Sequence, residues 1–307
     1  GSDQWRIEKR DLTTDALIAG FGTAGAVTNN PSAGTDIPFA ITIDASRIYV
    51  VGVDWSSGDY QWHIEKRNST TGALIAAFGT AGVVTNNPTG SYDYAFGITA
   101  DASGIYVAGY DDIGAGRWRI EKRDLTTGAL IAAFGTTGVV TSNQSTGFDY
   151  AQAITADASG IYVAGVDYSP FNYQWRIEKR DLTTGALICF VTNNPTAYDD
   201  RAFAITSDAS GIYVAGLDNI PGNDEWLIEK YDLCGGPLPI ELLYFNAIPE
   251  NNRLVRCEWS TATEINNDYF AIERSKEGST FWQIGTVQGA GNSSITKNYI
   301  FYDHEPY

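Results

Sequence analysis

The chain has 307 residues and a formal net charge of -17, with 19% charged and 13% aromatic residues, 32 glycines and no methionine. That charge speaks against nucleic acid and anionic membrane surfaces, which would be repelled, and is compatible with cations and neutral glycans. No apolar run is long enough to cross a membrane as a helix, the length allows two domains, and the glycine- and aromatic-rich composition suits short strands with many turns.

The chain opens inside a repeat. The word W-x-I-E-K begins at Trp5, Trp62, Trp118, Trp175 and Trp226, at intervals of 57, 56, 57 and 51 residues. A second word, I-T-x-D-A-S-x-I-Y-V, keeps phase with it and places aspartates at 44, 101, 157 and 208. The short interval has a visible origin: A-L-I-A-A-F-G-T-A-G-V-V-T at Ala73–Thr85 becomes A-L-I-C-F-V-T at Ala186–Thr192, six residues fewer. Each period of about 56 residues predicts four antiparallel strands. They are F-A-I-T, I-Y-V-A-G, W-R-I-E-K-R and A-L-I-A-A-F with a V-V-T extension. Four strands per period indicate the blades of a β-propeller over residues 1–233, with a β-solenoid ranked well behind. Either four blades close with one split between the ends of the repeat region, or the ring is larger and this is a piece of it, the reading preferred here.

The order I-T-x-D-A-S-G-I-Y-V-A-G, W-R-I-E-K-R-D-L-T-T-G-A-L, F-G-T-A-G-V-V-T resembles the delta-60 family of propeller repeats. The departures are D-A-S-G in place of an aspartate–glycine turn and the missing F-G word in the fourth copy. The resemblance implies fold and says little about ligand.

Residues 234–239, Cys-Gly-Gly-Pro-Leu-Pro, read as a linker. Beyond them Ile240–Phe245, Arg253–Trp259, Phe270–Arg274 and Phe281–Val287 alternate apolar and polar residues, as half-buried strands of a β-sandwich do. Lys276-Glu277-Gly278 predicts a hairpin. L-P-I-E-L-L-Y-F, C-E-W-S-T-A-T-E-I-N-N-D-Y-F-A-I-E-R-S and F-W-Q-I-G-T-V-Q-G-A-G-N-S resemble a fibronectin type III-like module. Such modules precede type IX secretion sorting domains in secreted proteins of Bacteroidetes-type bacteria. The resemblance implies export to the cell surface or medium. Residues 240–307 fall short of a full sandwich, so the natural product is expected to continue past Tyr307, or another chain to cover the open edge.

Chemistry is sparse. The two histidines, His63 and His304, have no metal-ligand spacing around them, and no nucleophile elbow or phosphate-binding loop is present. No catalytic residue is assigned. Aspartates recur with the repeat, as structural residues do. Those at 44, 101, 157 and 208 cap D-A-S-G turns. Asp36, Asp93, Asp149 and Asp200 form a second register. That register and the third, Asp54, Asp111, Asp167 and Asp218, flank longer loops and could bind Ca²⁺ through carboxylate and carbonyl oxygens, the third being the candidate set. Neighbouring Glu and Lys in W-x-I-E-K point to opposite faces, so Glu of one blade is expected to meet Lys of the next. Cys257 reads as a buried free thiol; a Cys189–Cys234 disulfide is the lesser reading, because spacing does not set geometry.

Both short connections of each repeat are expected at one rim, both variable ones at the other. The variable rim carries Trp55, Tyr60, Tyr92, Tyr94, Phe148, Tyr150, Tyr168, Phe171, Tyr173 and Tyr198, set among Asp, Asn and Ser. Loops held on a rigid scaffold carry function, and such aromatic faces suit a glycan or a surface protein. Drift of unselected loops is the plainer alternative. The expected function is non-catalytic binding or adhesion outside the cell. The alternatives are a structural subunit that self-associates through exposed edges, and a propeller-type glycan hydrolase or lyase.

Overall fold

The computed structural model describes residues 3–306 apart from 57, 115, 144, 146, 169–171, 209, 221–222, 233–239, 251–252, 279–280 and 294. The fold is all-β, with no helix among the described residues, and the chain divides into two compact units, Gly1–Lys230 and Tyr231–Tyr307.

The first unit is a series of small antiparallel sheets, each formed by consecutive strands. β1 (Trp5–Glu8) pairs with β2 (Ala26–Asn29). The next sheet holds β3 (Ile37–Ile43), β4 (Arg47–Ser56), β5 (Asp59–Asn68) and β6 (Val83–Asn86). It is followed by β7 (Tyr94–Asp101), β8 (Gly104–Asp112), β9 (Gly116–Arg123) and β10 (Val139–Ser142), then by β11 (Tyr150–Asp157), β12 (Gly160–Tyr168), β13 (Tyr173–Arg180) and β14 (Leu187–Asn193). The last has three strands, β15 (Arg201–Asp208), β16 (Gly211–Ile220) and β17 (Asn223–Tyr231). The first strands lie side by side in order, β3 against β7, β7 against β11 and β11 against β15.

The fourth strand is not where the sequence suggested. A-L-I-A-A-F does not extend along the third strand; only V-V-T-N and its variants do, as in Glu65↔Val83 and Trp62↔Asn86. The preceding stretch is a compact turn that buries Phe21, Phe78 and Phe134. Its Gly79 and Ala81 take left-handed backbone (φ 54° each), and Gly79 N–H donates to Thr127 O of the next repeat at 2.8 Å. Packing of the Phe and this inter-sheet bond override strand propensity. In the fourth copy the six-residue loss removes the turn, and Leu187–Asn193 runs straight along β13.

Each third strand looks two ways. Trp, Ile and Lys face the following sheet. The buried indoles of Trp5, Trp62, Trp118 and Trp175 donate to the carbonyls of Val53, Tyr110, Val166 and Leu217 at 3.4, 3.3, 2.9 and 3.2 Å. Lys9 and Lys122 donate to Ser69 O and Leu182 O at 2.8 and 2.7 Å. Glu faces the preceding sheet. Glu121 and Glu229 accept from Asn86 and Asn193 Nδ2 at 2.7 and 2.6 Å, and Glu65 accepts from Asn29. The expected Glu–Lys ladder is therefore absent from these pairs. Each buried Glu is neutralised along its own strand, by Arg67 on Glu65, by Arg119 and Arg123 on Glu121, and by Arg176 and Arg180 on Glu178. A carboxylate removed from water needs such partners. A strand carries Arg at i±2 on the same face as Glu, whereas a Lys at i+1 cannot reach it.

The second unit is one antiparallel sheet of β18 (Ile240–Glu250), β19 (Leu254–Arg274), β20 (Trp282–Ser293) and β21 (Lys297–Asp303). The two strands expected around Trp259 and Phe270 are a single 21-residue strand. Its first half pairs with β18 and β21, its second with β20. Register shifts between Glu264 and Tyr269 mark where it bends. The bend brings Trp259 to Phe270 at 5.2 Å between ring centres, and Tyr299 of β21 to both, around buried Cys257 and Ile272. β21 went unassigned in the sequence reading although K-N-Y-I-F-Y-D alternates cleanly. Cys257 is a free thiol, raised by burial. Cys189 is disulfide-bonded, against the sequence preference; Cys234 and the 234–239 linker lie outside the described residues.

Glu264 sits at the bend, fully buried, and accepts from Thr261 Oγ1, Asn267 Nδ2, Ala290 N–H and Tyr299 Oη. Burial alone would raise this carboxyl. The four hydrogen bonds outweigh it and hold the group at about 2, below the ordinary 4.5. Its stabilising contribution is thus complete above pH 4.5 and lost as the pH falls towards 2. Glu264→Gln should remove that stretch of acid destabilisation, read by hydrogen exchange in β18–β21 as a function of pH. Trp118→Ala should cost about 3–5 kcal/mol in urea unfolding of the first unit. The same change at Trp226, which is 93% exposed, should stay within about 0.5 kcal/mol.

Candidate binding surface

The Asp36, Asp93, Asp149 and Asp200 register builds the variable rim. Each carboxylate is buried and accepts from the N–H and hydroxyl of Ser32, Thr89, Ser145 or Thr196. Each also accepts from a backbone N–H at the outer end of the second strand, that of Trp55, Asp112, Tyr168 or Asn219, at 2.9–3.2 Å. The N–H of Asp93, Asp149 and Asp200 in turn donates to Tyr60, Gly116 and Tyr173 O of the preceding sheet. One aspartate per repeat thereby ties loop, second strand and neighbouring sheet. These bonds hold the described residues around each aspartate in place.

On that frame the aromatic side chains form a ribbon across three sheets. Ring centres lie 4.8 Å apart for Trp55–Tyr60, 5.7 Å for Tyr60–Tyr92 and 5.2 Å for Tyr60–Tyr94. The ribbon continues through Tyr94–Tyr110 at 5.2 Å, Tyr110–Tyr150 at 4.9 Å, Tyr150–Tyr173 at 6.0 Å and Tyr168–Tyr173 at 5.2 Å. Phe148 stands 6.3 Å from Tyr150. Eight of the ten residues singled out from sequence thus join with Tyr110 into one surface of nine. Tyr198 is exposed, its carbonyl accepting from Asn172 Nδ2, and Phe171 lies outside the described residues.

The sequence reading missed Tyr110, the central link, and Phe96, which packs on Tyr94 at 5.5 Å and on Phe39 at 5.0 Å. Both sit on strands, where they read as core. The available signals were that Tyr110 replaces Val or Leu at one position of the second strand, and that a bulge recurs at Phe39, Phe96, Gln152 and Phe203. A bulge re-aims the side chain it inserts.

The loop and strand residues match across repeats. A Cβ on Gly34 or Gly147 would lie 2.5 or 2.3 Å from the Trp55 or Tyr168 ring. Where Asp112 replaces that aromatic, Ser91 replaces the glycine and donates to the carboxylate at 2.8 Å. Burial raises the hydroxyls of Tyr94 (to about 12), Tyr110 and Tyr150, so they remain neutral donors.

The candidate Ca²⁺ aspartates lie on four different sheets. Asp54 binds His63 Nδ1 and Gln61, both at 2.8 Å, Asp111 pairs with Arg117 and Arg119, and Asp167 faces Arg176 at 3.7 Å. Asp218, raised by burial and by Asp200, stands in the sheet where Leu227 replaces the arginine. No three of His, Cys, Asp or Glu come together as a metal-holding group among the described residues.

No family model matches the chain, and no curated protein matches it.

His63 occupies the place of Arg119 and Arg176. It is buried between Asp54 and Glu65, with its Nε2 3.3 Å from Glu65, and lies edge-on to Trp5. Burial lowers its pKa, but hydrogen bonds and charge from Asp54 and Glu65 prevail and raise it above 6.5. Its contribution to stability is then full below pH 6.5 and lost as the pH rises through the raised value. Unfolding followed from pH 6 to 9 should show that loss, and His63→Arg, charged throughout, should abolish it.

Proposed function

We propose that this is a non-catalytic extracellular binding protein whose aromatic ribbon is its recognition surface. The observation that carries the reading is the ribbon itself: one continuous network of rings from three sheets, anchored by a buried aspartate in every repeat. Binding energy concentrates in rigid aromatic side chains. In this reading the sheets are blades of a delta-60-type β-propeller. The side-by-side order of the first strands supports that, because blades converge on their inner strands. The second unit is a fibronectin type III-like spacer, and the chain reaches the cell surface or medium by a type IX-like route; both rest on the sequence resemblances. The histidine with both ring nitrogens bound to carboxylates, in a chain with only two histidines, supports a non-catalytic role.

One feature favours self-association as a second reading. Trp226, Ile228 and Phe203 leave the outward face of β15–β17 exposed, whereas the same positions of earlier sheets cover their neighbours. Sedimentation of the intact chain against Trp226→Glu tests it, and a concentration-dependent oligomer lost in the variant is the expected outcome.

For the main reading, intact protein and a Tyr92→Ala/Phe148→Ala variant are compared on arrays of glycans and of surface proteins. At least tenfold weaker binding by the variant is expected; equal binding would refute the ribbon.

A further inference from the structure

We propose that the ribbon takes an extended, uncharged polysaccharide, laid across successive repeats with sugar rings stacked on exposed aromatic faces. This rests on the binding reading above. Tyr92 and Phe148 precede the buried aspartate at equivalent positions one repeat apart, and they are 46% and 42% exposed. Both are held in place: Tyr92 leans on Tyr60, and Phe148 lies over Gly116, where a Cβ would come within 3.0 Å of its ring. The polar pair Ser91–Asp112 belongs to the stretch between them. Ser91 adjoins Tyr92 in the chain, and Asp112 pairs across its hairpin with Gly116, the residue under Phe148.

The order along the rim is therefore ring, hydroxyl and carboxylate, ring. A pyranose presents a face of C–H groups to the electron-rich face of an aromatic ring. Its rim of hydroxyls seeks short, planar acceptors. A polymer repeats that pattern, and the rim offers two such rings one repeat apart, Tyr92 and Phe148. A protein partner would be met by a compact apolar patch with a polar border, whereas the exposed rings of Tyr92 and Phe148 have the polar Ser91–Asp112 pair in the stretch between them. Charge separates neutral from anionic polymers. The chain carries -17; the nearby Arg117 is committed to Asp111 and Arg201, over the Tyr173 ring, to Asp199, so neither of these described cations is free for a polyanion.

The test is affinity electrophoresis and calorimetry on the intact chain. The probes are soluble β-1,4-glucan, β-1,3-glucan, α-mannan and galactomannan, with alginate as the anionic control and an oligosaccharide series from two to eight sugars. At least one neutral polymer should retard the protein and alginate should not. Affinity should rise at least tenfold from the disaccharide to the octamer. Tyr92→Ala/Phe148→Ala should abolish the length dependence while near-UV circular dichroism stays native, and Phe148→Trp should retain binding. Retardation by alginate alone, retardation by none of the polymers, or a length dependence that survives the double substitution overturns the proposal. If no polysaccharide binds but the double substitution still loses a protein on the array, the binding surface stands and the glycan does not. If it loses nothing on any probe, both readings fall.

Discussion

The first unit depends on one recurring contact, a buried tryptophan whose indole N–H reaches a carbonyl of the next sheet. A single repeat cannot bury its own apolar face, so each sheet must lend a face to its neighbour. Trp5, Trp62, Trp118 and Trp175 supply bulk and direction together. The ring fills the space between sheets, while the N–H fixes how one sheet sits on the next. The opposite face of the same strand is held by charge. A buried Glu, flanked by Arg and met by Asn from the sheet before, tolerates little displacement, because an unpartnered charge there would be costly.

The aromatic ribbon inherits its rigidity from these contacts. The buried aspartate before each first strand is bound to its own loop, to its second strand and to the preceding sheet, so the rim cannot shift without breaking inter-sheet bonds. The paired replacements Gly34 with Trp55, Gly147 with Tyr168 and Ser91 with Asp112 show the loops and strands fitted to each other. Unselected drift would not keep those pairs matched. Preorganised rings lose little conformational entropy on binding.

The repeat also isolates single-residue differences. Glu65, Glu121 and Glu178 share a burial and a role, yet Glu65 alone is met by an imidazole. One substitution places an imidazole, raised above its ordinary 6.5 by Asp54 and Glu65, where the neighbouring sheets carry arginine. In the same way Leu227, in place of arginine, leaves Asp218 beside Asp200 without the cation that accompanies its counterparts.

Much was legible without coordinates. Phase-locked words at about 56 residues determine four-stranded units, alternation determines strands, and both place the variable loops and eight of the nine named rings that meet. What sequence could not decide was three-dimensional. The turn at Ala73–Gly82 reads as a strand by propensity, because burial of Phe78 and a bond to Thr127 are contacts with another repeat. Tyr110 reads as core, because only the stacking of adjacent sheets turns it into the link between Tyr94 and Tyr150. The aspartates of the third register read as a metal set, because spacing does not reveal that Asp54, Asp111 and Asp167 meet His63, Arg117 with Arg119, and Arg176 of their own sheets. Local pattern reports what one strand prefers; which faces meet is settled by packing between strands distant in the chain.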